Sequence, residues 1–406
     1  MVEKENKQIR NIVLVAALGY FVDIYDLVLF SIVRVKSLIS LGVTEELLLE
    51  KGILLINAQM IGMLVGGILW GVLGDKKGRV SVLFGSIFLY SAANIANAFV
   101  PSLEWYIAVR FIAGIGLAGE LGAGITLVSE SMSKENRGYG TMIVATVGLL
   151  GAVVAALVGD YWTWQTAYII GGVLGILLLL LRIGVYESGM FKNLKEQEVR
   201  KGDFKLIFSS AQTFRKYLYC IILGLPVWFV IGVPVTFSPE FGKALNTTDI
   251  LSAGKAIMYS YIGLAIGDLL SGILSQVLKS RKKVLIVFII SSLITIIYSL
   301  YSGIQSGFEW YFACCLMGIS VGFWALFVTV ASEQFGTNIR ATVTTTVPNF
   351  VRGAVVPITL GFNFLKDDFG IINSAFIVGI ICIGLALFSA IKLPETFGKD
   401  LNYIEK

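Results

Sequence analysis

Histidine is absent from all 406 residues, and only 15% of them are charged, against roughly 25% in soluble domains. The first absence removes the side chain that most readily changes charge near neutrality, so any proton this chain handles must ride on a carboxyl group. The second argues against a soluble enzyme. Cysteine is sparse as well. Cys220, Cys314, Cys315 and Cys382 all fall in apolar runs, which suits small buried hydrophobes better than a disulfide framework or a metal centre. There is no P-loop, dinucleotide fingerprint or nucleophile with a neighbouring base, so ATP-driven transport and hydrolysis lack residues to carry them. Neither an enzyme nor a metal or cofactor is expected, and an ion gradient is left as the energy source.

What remains is apolar. Hydrophobic residues make up 56% of the chain and the mean hydropathy is +0.82. Short charged clusters separate apolar runs of about 20 residues, the length that crosses a hydrocarbon core of about 30 Å as a helix. Twelve such runs begin near Asn11, Ile53, Val80, Leu103, Gly138, Gln165, Lys216, Lys255, Lys283, Phe308, Ala341 and Ile371. The expected fold is all-α integral membrane, in two pseudo-symmetric six-helix bundles around a central cavity, with the lipid bilayer as solvent. A polar start without a cleavage pattern marks the first run as a retained helix rather than a signal peptide. Forty-four glycines predict close helix packing, at Gly62, Gly66 and Gly67 and again from Gly114 to Gly124.

Most of the 32 Lys and Arg residues lie in segments on the side of the termini, such as Lys76, Lys77 and Arg79, or Arg281, Lys282 and Lys283. That bias puts both termini in the cytoplasm and accounts for the net charge of +5 without nucleic acid. The longest interior polar stretch divides the chain into an N-terminal bundle (1–186), a cytoplasmic linker (187–215), a C-terminal bundle (216–392) and a cytoplasmic tail (393–406). The halves repeat: IGMLVGGILWGVLGDKKGRV from Ile61 is matched by IGLAIGDLLSGILSQVLKSRKKV from Ile262, Glu104-Trp105-Tyr106 by Glu309-Trp310-Tyr311, and Glu130 with Arg137 by Glu333 with Arg340. A parallel repeat of this kind is expected of a transporter whose halves rock about a midplane site.

GVLGDKKGR (Gly71 to Arg79), with a degraded copy at Gly272 to Lys283 in which Gln276 stands where Asp75 would recur, resembles the signature loop of the major facilitator superfamily. GLAGELGAGITLVSE, with Glu120, is similar to the fourth helix of metabolite:proton symporters. VDIYDL (Val22 to Leu27) resembles the paired-aspartate first helix of aromatic-acid:proton symporters, and PETFGK (Pro394 to Lys399) the C-terminal motif of sugar porters. The resemblance implies a plasma-membrane transporter, in the inner membrane if the source is bacterial, working as a monomer. It also implies an inward gate at Asp75 and Arg79, with Glu130, Arg137, Glu333 and Arg340 as flanking charge clusters.

Six ionisable residues lie near mid-span: Asp23, Asp26, Arg110, Glu120, Asp268 and Arg352. At about 2.5–3.5 kcal/mol each on insertion scales, they must pair, protonate or line a watery cavity. Asp23 and Asp26, three apart, share one helix face and with Glu120 and Asp268 are the candidates for proton coupling. Arg352 cannot deprotonate and needs an anion, either Asp268 at rest or a substrate carboxylate. Arg110, a second candidate for binding the substrate, is expected beside Asp23 or Asp26. Tyr20, Tyr25, Asn349 and Trp324 complete the candidate substrate wall, and Pro226 and Pro234 mark the seventh run as a flexing element. The expected function is proton-coupled uptake of a small organic anion by rocker-type alternating access. Its rivals are a sugar or polyol carrier, an exporter of amphipathic compounds and a sensor that does not transport.

Overall fold

The computed structural model describes residues 2–77, 79–119, 137–187, 207–208 and 210–399, and among these the structure is helical with short turns and no strand. The N-terminal half contains α1 (Val2–Ser40), α2 (Leu48–Lys77), α3 (Arg79–Asn97), α4 (Leu103–Leu117), α5 (Arg137–Tyr161) and α6 (Trp164–Glu187). In the C-terminal half, α7 is segmented into Ala211–Leu223, Leu225–Val230, the π-helical turn Ile231–Val235 and Ser238–Leu245. Then follow α8 (Ala253–Val277), α9 (Arg281–Tyr301), α10 in two segments (Gly307–Ser320 and Trp324–Glu333), α11 (Thr337–Gly353, continued to 369) and α12 (371–392). Gly370, at φ 74°, separates α11 from α12 in a backbone region that glycine enters without steric cost. The helices start close to where the apolar runs do; α1 alone begins well before its run, at Val2.

Nine apolar helices among the described residues are individually long enough to span a bilayer, and the longest of them, Thr342–Lys392, holds both α11 and α12. The outer surface is what lipid requires: Phe88, Ile294, Phe308 and Phe364 are each more than 60% exposed, where an aqueous exterior would penalise them.

Glycine sets the closest helix contacts. A Cβ on Gly62 or Gly66 of α2 would strike the carbonyl of Phe111 or Ile115 on α4, and one on Gly114 that of Gln59. The α8–α10 seam repeats this: Gly263 and Gly267 lie against the carbonyls of Cys315 and Ile319, and Gly318 against that of Ser260. The Glu-Trp-Tyr triplets, by contrast, are one residue out of register. Tyr106 and Trp310 are the fully buried members, while Trp105 is 62% exposed.

Pro234 interrupts α7 inside its π turn. Side chains add bonds to the carbonyls around the turn: Thr236 Oγ1 donates to Ile231 O at 2.7 Å, and Ser238 Oγ to Val235 O at 2.8 Å. Local side chains thus stabilise the bend. The two halves meet chiefly where α2 packs on α11 and α5 on α8. Most of the expected linker lies outside the described residues.

Candidate substrate and proton site

Asp23 and Asp26 stand on successive turns of α1 and are fully buried, as is Arg352 on α11. Arg352 Nη2 reaches Asp23 Oδ2 at 3.3 Å, so the two halves are joined at their centre by an ion pair enclosed in protein. Arg352 was expected to rest on Asp268; it rests on Asp23. Its guanidinium carbon lies 5.8 Å from the centre of the Trp228 ring, and Trp228 meets Trp324 edge to face at 6.1 Å. Tyr20 and Tyr261 share the electrostatic environment of Arg352 and Asp23. Arg352 Nε and Nη1 are buried without a hydrogen-bond partner among the described residues. Part of the guanidinium fork is therefore not used by Asp23.

A second charged cluster lies inside the N-terminal half. Arg110 of α4, fully buried, donates through Nη2 to Gln59 Oε1 of α2. It lies 5.5 Å from the Phe30 ring centre and 5.7 Å from that of Tyr168. Asp26 is the carboxylate that feels Arg110, with Asp23 and Asn94 also acting on it. Of the two expected partners for Arg110, Asp26 feels its charge without an ion pair between them among the described residues, and Asp23 pairs with Arg352.

The remaining expected residues are distributed as follows. Asp268 Oδ1 accepts from the Ala325 amide at 3.0 Å and so caps the second segment of α10, where a helix N-terminus favours negative charge. That cap also positions Trp324. Asn349 donates to Ala118 O at 3.0 Å, across the halves. Tyr25 turns away from Arg352 and donates to Ala167 O at 2.9 Å, fastening α1 to α6. Glu120 and Glu130 lie outside the described residues. So do the side chains of Asp75, Arg79 and Arg137, whose backbones are helical. Glu333 is held by Arg281, at 2.7 Å from Nε and 2.9 Å from Nη2, while Arg340 donates to the carbonyls of Ser332 and Phe335.

Sequence reasoning missed the contacts opposite the termini. There Arg34 of α1, fully buried, pairs with Glu240 of α7 at 2.7 Å, beneath the exposed pair Lys243–Glu45 at 2.9 Å. Ser252 Oγ donates to Asp160 Oδ1 at 3.3 Å. It also missed Thr359, which donates to Asn57 Oδ1 at 2.8 Å between α11 and α2. A signal for Arg34 was available: it is a cation at the end of an apolar run, but it reads equally as a loop charge.

On the side of the termini, the tail is clipped to α9. Glu395 accepts from Ser280 Oγ and from the amide of Arg281 at 3.0 Å, and from its own neighbours Thr396 and Phe397. Partial burial opposes its charge, but these donors outweigh it and hold the carboxyl at about 2 against an ordinary 4.5.

Two bundles with matching glycine seams, joined at their centre by an interhelical ion pair, are the setting for the comparisons. A model of the Major Facilitator Superfamily matches residues 16–360. The chain belongs to the Major Facilitator Superfamily. Like its relatives in that superfamily, it is a membrane transporter and not an enzyme. It is 27% identical to the putative niacin/nicotinamide transporter NiaP of Bacillus subtilis, over 98% of this chain and 97% of that one. It is 24% identical to a probable 4-methylmuconolactone transporter of Cupriavidus pinatubonensis, over 95% and 90%. It is 25% identical to the 3-(3-hydroxy-phenyl)propionate transporter of Escherichia coli, over 86% and 87%. The fold of this superfamily member is also that of the E. coli xylose transporter XylE in a partially occluded inward-open conformation, with a TM-score of 0.74 at 18% identity, covering 97% and 100% of the two chains.

Proposed function

We propose that this transporter imports a small organic monoanion together with a proton by alternating access, with its termini in the cytoplasm. The carrying observation is the buried Asp23–Arg352 pair, which joins the halves where they must part. Around it, Asp23 and Asp26 balance Arg110 and Arg352, and Asp268, which caps the second segment of α10, adds a carboxyl outside that balance. A carboxylate that engages the free edge of Arg352 leaves the cluster one negative charge in excess. Enclosing that excess in low dielectric is costly. One proton on Asp23 or Asp26 restores neutrality, so the state carrying anion and proton together is the one that closes readily. Coupling follows because a carrier loaded with only one of them is disfavoured.

The names of relatives support a carboxylate passenger: niacin, 3-(3-hydroxy-phenyl)propionate and, for an Acinetobacter baylyi protein 26% identical over 96% of this chain, cis,cis-muconate. In this reading Arg352 binds the carboxylate, Trp228, Trp324 and Tyr20 form its wall, and Asn349 lies within reach. Asp26 with Arg110 manages the proton, and Asp23 passes between the two tasks. Glu120 and Asp268 are kept as secondary proton sites and Tyr25 as a support for α1. The domain boundaries remain 1–186, 187–215 and 216–392. The positive-inside bias makes the Arg34–Glu240 face external, so the described conformation is shut to the outside. Asp75, Arg79, Glu130, Arg137, Glu333 and Arg340 serve the opposite gate. The test is uptake of the monoanions nicotinate and 3-(3-hydroxyphenyl)propionate into proteoliposomes. A pH gradient, acid outside, is expected to drive accumulation, and Arg352→Gln to abolish it. Indifference to the gradient refutes the coupling.

A further inference from the structure

Ser91, Asn94 and Asn97 recur every three residues on α3, which puts them on one helix face over about 9 Å. Their exposures are 1%, 1% and 0%. Ser91 Oγ and both amide atoms of Asn97 lack a hydrogen-bond partner among the described residues, while the Asn94 amide is turned to Asp26. At its middle the row reaches Asp26, which lies beside Asn94. At one end Asn97 is the last residue of α3, and the turn that follows brings Phe99, 71% exposed, to the rim opposite the termini. Opposite the row, α6 contributes glycine: a Cβ on Gly171 would strike Asp26 Oδ1, and one on Gly175 would strike Ser91 Oγ. α6 thus packs directly on Ser91 and Asp26, and Asn94 and Asn97 are the polar side chains between Asp26 and the rim. Amides stranded in a lipid-embedded bundle are costly unless hydrogen-bonded, and ordered water is what ordinarily satisfies such groups.

We infer that Asn94 and Asn97 hold a file of water that delivers the proton to Asp26 from the outer rim through the interior of the N-terminal half, apart from the passenger's route between the halves. The inference rests on the proton-coupled reading above. Along the file each water accepts one proton and passes on another, so the net change is one O–H bond made at Asp26 and one broken at the rim. The charged and titratable groups facing Asp26 are Arg110 on α4, Tyr168 on α6, and Asp23 and Tyr25 on its own helix.

The experiment uses the full chain in proteoliposomes, with whichever of nicotinate and 3-(3-hydroxyphenyl)propionate gives counterflow. Accumulation under an imposed pH gradient is compared with counterflow at equal pH, which needs no net proton movement. Asn97→Leu is expected to lower gradient-driven accumulation about tenfold, as for one buried polar link left unmade, with counterflow within about twofold. Asn97→Ser, which keeps a hydroxyl in the file, is expected to restore most of the accumulation. Unchanged accumulation in Asn97→Leu overturns the inference. So does parallel loss of accumulation and counterflow in a monodisperse Asn97→Leu protein, because that marks a structural role. Where Asn97→Leu folds poorly, Asn97→Ser and Asn97→Ala decide instead: greater accumulation in the serine variant supports the file, and equal accumulation overturns it. A wild-type chain that shows counterflow but ignores the gradient, or that shows no counterflow, instead overturns the reading beneath it.

Discussion

The α2–α4 and α8–α10 seams are built alike and charged differently. In each, a glycine pair from one helix lies against carbonyls of the other, and Gly114 and Gly318 return the contact on Gln59 and Ser260. Four residues before those glycines, however, the first seam carries Arg110 and the second carries Cys314. Beside Gly66 stands Gly67, and beside Gly267 stands Asp268, which is spent on capping α10. The packing that makes two helices adhere has been kept in both halves, while the charge has been kept where it is used. The N-terminal half holds Asp26 within the field of Arg110; the C-terminal half brings its mid-span cation, Arg352, to the interface. Asp23 is the point at which the two meet.

The comparison is broken most forcefully at that point. Arg352→Ala leaves Asp23 buried without its cation, and a loss of about 3–5 kcal/mol in unfolding stability is expected, together with loss of uptake. Adding Asp23→Asn should recover most of the stability, read from the unfolding midpoint in detergent, and none of the uptake. If the seams are equivalent, Gly62→Leu and Gly263→Leu should destabilise by similar amounts, at least about 1–3 kcal/mol each from overpacking; a large inequality in the two melting temperatures contradicts the repeat. Glu240→Gln removes the charge facing Arg34 and should shift the halves towards the outward-open state. An increase of about tenfold in labelling of an introduced cysteine at Gly254, for about 1.4 kcal/mol, checks it.

The smallest effect is expected at Glu395, whose carboxylate caps the start of α9. Glu395→Gln should cost about 1 kcal/mol. Because its carboxyl is held at about 2 rather than 4.5, the stabilisation is fully present above 4.5 and disappears as pH falls through about 2. Amide exchange at Thr396 and Phe397 should therefore remain slow in mild acid and quicken only near the lower value.

Much of this was legible from spacing. Helix starts, the split into halves, the glycine contacts and the enclosure of the mid-span charges follow from hydropathy and from the cost of charge in lipid. Partner choice did not follow. Arg352 lies 329 residues from Asp23, and nothing local distinguishes Asp23 from Asp268 as its anion; the decision belongs to helix packing and to the α10 break that claims Asp268. The Glu-Trp-Tyr triplets misled by a residue because letters matched where burial did not. Asn94 and Asn97 were readable as two amides three apart in an apolar run, but their significance depends on Asp26 arriving beside them from another helix. Glu120 and most of the inner gate lie outside the described residues.

The central claim is that an arriving carboxylate displaces Asp23 from Arg352 and that a proton makes good the charge. Calorimetric titration of nicotinate, or of whichever acid binds, in buffers of different ionisation enthalpy counts the protons exchanged on binding. The account predicts uptake of about one proton per monoanion, with affinity rising as pH falls. Binding of the anion with no proton exchanged across the accessible pH range would contradict it.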